Sequence, residues 1–264
     1  MRETITSLQN TRVKAAVRLR ERRARQQQNL TLIDGIREIE RALSAGVDIQ
    51  QAFVSEEHQL DLEALVNRLD QHGAEPVLVT ARVFEKIAFG NRGEGIVVTA
   101  SPPQRSLADL PQAGDAVIGV VEAVEKPGNI GAIVRSADAA GVSGLIFADP
   151  RTDLYNPNAI RSSLGVIFSI PVCAATTIEA KSWLLETKTQ IYVARVDGAV
   201  DYTTANLSER AAIVLGSEAN GVSEAWRDDA VSGIKLPMLG MGDSLNVSVT
   251  AGILFYEALR QRTR

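Results

Sequence analysis

Three stretches of this 264-residue chain join glycines to polar side chains at spacings that suit ligand chemistry. The first, Glu125-Lys126-Pro127-Gly128-Asn129-Ile130-Gly131, runs on into Arg135. Gly128 and Gly131 let the backbone turn and let a ligand or a neighbouring chain approach closely, and Asn129 is suited to capping a helix. On that helix Arg135 lies roughly 140° around from Ile130, opposite the apolar face. The Gly-x-x-Gly spacing is not a dinucleotide fingerprint, which excludes an ordinary nicotinamide site. The second stretch, Leu215-Gly216-Ser217-Glu218-Ala219-Asn220-Gly221-Val222, ends an apolar strand with unpaired backbone N–H groups and one carboxylate. The third runs from Ile234 through Leu236-Pro237-Met238 to Ser244-Leu245-Asn246-Val247-Ser248. It is apolar for a loop, and such a segment can wrap an apolar ligand body while backbone groups bind its polar edge. Taken singly, each stretch reads equally as a helix cap or a left-handed turn.

The residues that are scarce exclude whole reaction classes. His58 and His72 both fall in the first third of the chain and Cys173 stands alone. No disulfide can form within one chain, no zinc site can be assembled from Cys and His, and no metal is expected. A Ser-His-Asp or Cys-His nucleophile would need a histidine to reach across from a distant segment. The N-terminal residues lack the apolar run of a secretory signal, and no stretch of about 18 apolar residues is present. A cytoplasmic, membrane-free protein is the expectation. The net charge of −4 argues weakly against a nucleic-acid partner, but the charge is unevenly placed. Arg12, Lys14, Arg18, Arg20, Arg22, Arg23 and Arg25 face only Glu21, a local excess of +6. A patch of that density can bind phosphates whatever the whole-chain charge, or form a solvated helix face.

The elements that must position these residues alternate between strand and helix, so the chain is of the α/β class. The basic stretch predicts one helix over about residues 10–27. Strands follow at Leu30–Ile33, Ala52–Val54, Val77–Val79 and Ile96–Val98, with helix faces at Ile36, Ile39 and Leu43 and at Leu62, Leu65, Val66 and Leu69. The prolines and polar residues from Ala100 to Gly114 read as a stiff connector. Beyond it, Ala116–Val121 is apolar throughout, as in a strand covered on both faces. A helix is expected over about 130–140, and further strands at Leu145–Ala148, Pro171–Ala174, Ile191–Ala194 and Ile213–Leu215. A short helix is expected over about 156–164. The last helix starts near Asn246 and turns Val249, Ile253, Leu254 and Tyr256 toward a core.

In this order and register, the three stretches resemble the SpoU/TrmH family of RNA ribose 2′-O-methyltransferases, within the knotted SPOUT superfamily. Asn129-x-Gly131-x-x-x-Arg135-Ser136-Ala137-Asp138 is similar to the family's first motif, Leu215–Gly221 to its second, and Leu236-Pro237-Met238 through Ser244–Val249 to its third. The resemblance is full over about residues 115–262 and looser before it, where the chain is similar to the ribosomal-protein-like domain of rRNA-directed members. It implies an RNA substrate-binding domain over 1–100, a linker over 101–114 and a catalytic domain over 115–264. The first would be a small α/β sandwich. The second would be a mostly parallel sheet with a C-terminal trefoil knot, a feature that topological rules would not suggest.

The resemblance further implies S-adenosylmethionine as cofactor, contacted by Ala194, Leu215, Gly216, Ile234, Leu236 and Leu245. It implies a catalytic set of Asn129, Arg135, Glu218, Ser244 and Asn246, and a homodimer in which Arg135 serves its own or its partner's cofactor. RNA is the implied partner, with rRNA favoured over tRNA because the tRNA ribose enzymes lack the N-terminal module. Arg12, Lys14, Arg18, Arg22, Arg23 and Arg25 then read as the RNA-binding surface. The alternatives are a tRNA ribose methyltransferase and a catalytically silent RNA-binding or ribosome-assembly protein. The intact polar set weighs against silence.

Overall fold

The computed structural model describes residues 4–89, 93–197, 200–217 and 220–263. The chain divides into one unit of Met1–Pro103 with Tyr155–Ser169 and another of Gln104–Leu154 with Ile170–Arg264.

In the first unit β1 (Thr4–Ile5), α1 (Thr11–Arg18), α2 (Arg22–Gln28), β2 (Thr31–Asp34), α3 (Ile36–Ser44) and β3 (Ile49–Ser55) are followed by α4 (Glu63–Gln71), β4 (Glu75–Val79), α5 (Ala81–Ile87) and β5 (Ile96–Ala100). The sheet order is β1-β4-β3-β5-β2, with β5 antiparallel to both its neighbours and the other pairs parallel. Leu19, Leu32, Phe53, Val83, Ile87 and Val97 share one core.

The basic stretch forms two helices where one was expected. Asn10 caps α1, its side chain accepting from the Arg12 N–H at 2.9 Å. That helix closes at Leu19, which is buried in the core. The break strands carbonyls that a continuous helix would have paired, and arginines take them up. Arg25 is buried, its Nη1 donating to the carbonyls of Leu19 and Arg20, both at 2.8 Å. Arg20 Nη2 donates to the Ala88 carbonyl at 2.5 Å, just past the end of α5. The assignment of Arg25 to an RNA-binding surface is therefore corrected: its guanidinium is a backbone cap inside the unit. Lys14, Arg18, Arg22 and Arg23 are exposed. Arg12 is exposed as well and pairs with Glu75 at 2.9 Å, a surface contact of small energetic weight.

The second unit is built on β6 (Val117–Glu122), α6 (Pro127–Ala139) and β7 (Gly144–Ala148). The chain then contributes α7 (Pro157–Ser162) to the first unit, where Thr31 Oγ1 donates to the Tyr155 carbonyl and Arg41 Nη1 to that of Leu164, both at 2.6 Å. It returns as β8 (Val172–Ala175), α8 (Thr177–Glu186), β9 (Gln190–Ala194), β10 (Val200–Asp201), β11 (Ala211–Leu215), β12 (Val231–Lys235) and α9 (Val247–Arg262). The order is β10-β12-β9-β11-β6-β7-β8, parallel throughout. The chain is thus α/β with a mostly parallel larger sheet, as expected.

Two sequence readings change. Much of the expected connector is folded into the second unit. Arg105 Nη1 donates to the Ile170 carbonyl at 2.5 Å, Ser106 and Asp109 form a capping box, and Leu110 is buried in the core. On α9 the buried face carries Ala251, Leu254, Phe255 and Ala258, while Val249 and Tyr256 are half exposed. The reason lies at Gly119 in β6, where a Cβ would come within 2.9 Å of the Phe255 ring. That missing side chain lets α9 settle on the sheet through Phe255 and fixes its rotation.

Arg25→Met keeps the aliphatic stem but leaves two carbonyls without their donor. It should cost about 2–4 kcal/mol in urea unfolding. Arg23→Met, at an exposed position, should stay within about 0.5 kcal/mol of the parent.

Candidate functional site

Parallel pairing brings the carboxyl ends of β12, β9 and β11 side by side on one sheet edge, where ligands of open α/β sheets bind. A cavity of about 380 Å³ lies there. Its walls come from Ala194–Asp197 after β9, from Leu215–Ser217 and Asn220–Val222 after β11, and from Leu236, Met238 and Asp243–Leu245 after β12. Val247 and Thr250 of α9 and Arg227 complete it. The volume lies within the range of small-molecule and cofactor pockets.

The wall after β11 is held by a tight turn. The Ser217 N–H donates to the Gly221 carbonyl and the Gly221 N–H to that of Ser217, both at 3.0 Å. Gly221 adopts φ +64°, and the Asn220 N–H donates to Ser217 Oγ at 3.1 Å. A Cβ on Gly216 would lie 2.0 Å from the Gly221 carbonyl carbon, so only glycine allows this approach.

The opposite rim is ionic. Asp197 lies between Arg195 Nε at 3.1 Å and Arg227 Nη1 at 3.2 Å. Desolvation raises its pKa, but the Arg195 charge and the Arg227 hydrogen bond outweigh that and hold the carboxyl below the usual range. Gly233 makes room for this rim, because the Arg195 guanidinium lies where a Cβ would sit, within 3.0 Å.

Of the cofactor contacts expected from sequence, Ala194, Leu215, Gly216, Leu236 and Leu245 line the cavity, as does Ser244 of the polar set. Ile234 does not: its side chain is fully buried in β12, and its carbonyl accepts from the Arg195 N–H at 2.9 Å. Its side chain sits behind the wall, two residues before Leu236, which lines it. Asn246 caps α9 by accepting from the Ser248 N–H at 2.9 Å, and its amide reaches Asn129 Oδ1 of α6 at 3.4 Å. The first and third motifs are thus joined through two asparagines that lie outside the cavity wall. Arg135 is exposed on α6, with no hydrogen bond or ion pair among the described residues. Glu218 lies outside the described residues. Among those described, no group of three or more His, Cys, Asp or Glu is placed to hold a metal ion, and no helix is long and apolar enough to cross a membrane.

Arg195, Asp197, Arg227 and Thr250 are wall residues that sequence reasoning missed. For the first two the signal was their place directly after the strand Ile191–Ala194.

The chain belongs to the SpoU rRNA methylase family, whose model matches residues 116–256, and an MRM3-like substrate binding domain model matches residues 10–98. It is 27% identical over 254 residues, 96% of this chain and 97% of the relative, to the Bacillus subtilis 23S rRNA (guanosine(2553)-2′-O)-methyltransferase RlmP. A crystal structure of an RNA 2′-O ribose methyltransferase superposes with TM-score 0.84 at 38% identity, covering 99% of this chain and 100% of that one. The AdoMet-bound rRNA methyltransferase of Sinorhizobium meliloti superposes with TM-score 0.89 at 26% identity, covering 98% and 97%.

Gly216→Ala should force the turn open. Amide exchange at Ser217 and Gly221 should accelerate by at least about tenfold, since the bond pair between them cannot close around a Cβ. Gly240→Ala, where a Cβ meets nothing within 4 Å, should leave exchange unchanged.

Proposed function

We propose that this protein transfers a methyl group from S-adenosylmethionine to a ribose 2′-hydroxyl of 23S-type rRNA in the cytoplasm. The observation that carries the reading is the cavity walled by the second and third motif loops at the carboxyl ends of β9, β11 and β12. Its donor set fits the cofactor: Leu215, Leu236 and Leu245 offer apolar surface, while Ala194 and Gly216 offer backbone groups. Bound there, S-adenosylmethionine supplies a methyl carbon already activated by its sulfonium.

The chain's own residues then orient the hydroxyl and handle its proton. With the cofactor bound, Ser244 or Glu218 would take the 2′-hydroxyl proton and relay it to solvent as the methyl group is transferred. Arg135 acts in this reading as a cation with a planar, forked donor set. It binds the adjacent phosphate in bidentate fashion and stabilises the developing alkoxide charge. Asn129 and Asn246, joined across the helix starts, hold α6 and α9 in register for this role.

In this reading residues 1–100 bind the RNA substrate and residues 115–264 carry catalysis, with the C-terminal segment threaded as a trefoil knot and the N-terminal unit a ribosomal-protein-like sandwich. The match of residues 10–98 to a substrate-binding model supports the first assignment and favours rRNA over tRNA. The intact Asn129, Arg135, Ser244 and Asn246 argue against a silent assembly protein. The exposed RNA contacts are Arg12, Lys14, Arg18, Arg22 and Arg23. The active form is a homodimer, supported by the large apolar side chains that Val249 and Tyr256 expose on α9 and that Leu239 and Met241 expose in the loop before it.

Labelled S-adenosylmethionine with rRNA or tRNA transcripts tests the reading, because a 2′-O-methyl protects the adjacent phosphodiester from alkali and a base methyl does not. Label in an alkali-resistant dinucleotide from rRNA is the expected result; label confined to mononucleotides would overturn it. Arg135→Ala should lower methyl transfer by at least about 100-fold with cofactor affinity unchanged. Full activity in Arg135→Lys would sink the bidentate role. Replacing Lys14, Arg18 and Arg23 together with Gln should weaken RNA binding and reduce the slope of log K against log salt by about 2.

A further inference from the structure

Glu122 is a buried carboxylate that the proposed chemistry does not use. It ends β6, paired with Ala148 of β7, and the next residue, Ala123, turns the chain at φ +52° toward α6. An unpaired charge there would cost stability, so its presence calls for partners. Three donors converge on it: Thr177 Oγ1 of α8 reaches Oε1 at 2.8 Å, Ser223 Oγ reaches Oε1 at 2.7 Å, and the Ser223 N–H reaches Oε2 at 2.7 Å. Among the described residues no ion pair engages it, so its work is done through hydrogen-bond geometry.

Ser223 is the significant partner. It directly follows the wall residues Asn220–Val222 and opens the short helix Glu224–Trp226, after which Arg227 returns to the wall. Glu122 therefore grips the far anchor of the loop whose near end is the Gly216–Gly221 turn. The strand that carries this carboxylate also feeds α6, which holds Asn129 and Arg135.

We propose that Glu122 is a positioning residue for methyl transfer, acting through Ser223 to hold the cavity loop after β11 in register with the start of the Arg135 helix. This rests on the methyltransferase reading. The Thr177 contact supplies an internal control. Thr177 and Ser223 donate to the same oxygen through the same functional group, yet only Ser223 belongs to the cavity loop.

The test compares Ser223→Ala, Thr177→Val, Glu122→Ala and Glu122→Gln by thermal unfolding, S-adenosylmethionine titration, steady-state kinetics and amide exchange over 220–227. Ser223→Ala and Glu122→Ala should raise the cofactor KM by about tenfold or more, with a smaller change in kcat, and speed exchange in the loop. Thr177→Val should lower the unfolding temperature while cofactor affinity and loop exchange stay within twofold of the parent. Glu122→Gln should rescue, because a rotated amide accepts from the Ser223 N–H and donates to both hydroxyl oxygens.

Equal effects of Ser223→Ala and Thr177→Val on affinity would overturn the proposal, as would loss in Glu122→Gln matching that in Glu122→Ala. A parent protein that fails to bind S-adenosylmethionine would end the methyltransferase reading instead. The exchange comparison, which needs no ligand, would still decide whether Glu122 tethers the loop. If Glu122→Ala is too unstable to assay, Ser223→Ala against Thr177→Val carries the decision alone.

Discussion

A parallel strand pair cannot be closed by a tight hairpin, so strands that pair directly in the larger sheet are joined by long excursions of the chain. All seven strands run parallel, and their carboxyl ends face one edge. The consequence is a site assembled from segments far apart in the chain. Residues 194–197, 215–222 and 236–245 become neighbours only because β12, β9 and β11 lie side by side. Each loop then needs its own device to keep its shape without regular pairing. After β11 it is the Gly216–Gly221 turn and the Glu122 anchor, after β9 the Arg195–Asp197–Arg227 rim, and before α9 the Asn246 cap.

Buried charge in this protein goes mostly to backbone and loop management. Arg25 satisfies carbonyls released where a helix stops, as the exposed Arg20 does at the end of α5, and Glu122 collects donors from two elements. At the far end of α9, the buried Glu257 accepts from Arg260 Nη2 at 2.6 Å and Gln261 Nε2 at 2.8 Å. Gln261 and Arg262 in turn clasp the segment before β11, through the Leu207 N–H and carbonyl, both at 2.8 Å. Such groups are left with the full, uncompensated cost of desolvation if a partner is removed, so they specify one geometry more strictly than apolar packing of equal volume.

How much of this was legible in the sequence follows from the range of the interactions. The apolar runs at Val117–Val121, Leu145–Ala148 and Ile213–Leu215 became buried parallel strands because their composition leaves them no other place. The three motif loops stood out because glycine and asparagine carry a local backbone meaning. β12 was hidden: Val231-Ser-Gly-Ile-Lys has too few apolar residues to read as a strand, and it forms by pairing with β9. Helix α9 carries apolar residues on more than one face, so its pattern could not say which face Gly119 would admit. The functions of Arg25, Glu122 and Asp197 depend on partners between 2 and 101 residues away, and no local pattern of charge reveals which arginine will turn inward.

The scarcity of histidine and cysteine takes on a different sense beside this architecture. A reaction whose electrophile arrives activated asks the protein for orientation, apolar enclosure and one well-placed cation. Backbone turns, leucines and Arg135 can provide those without any residue that titrates near neutrality. Cys173 illustrates the point from the other side: burial pushes its thiol up to about 12, leaving it an inert member of the core of the second unit. A site made this way draws its selectivity from where backbone groups sit. The residues that govern it therefore include ones that never line the cavity, such as Ile234 behind its wall and Glu122 beneath its loop.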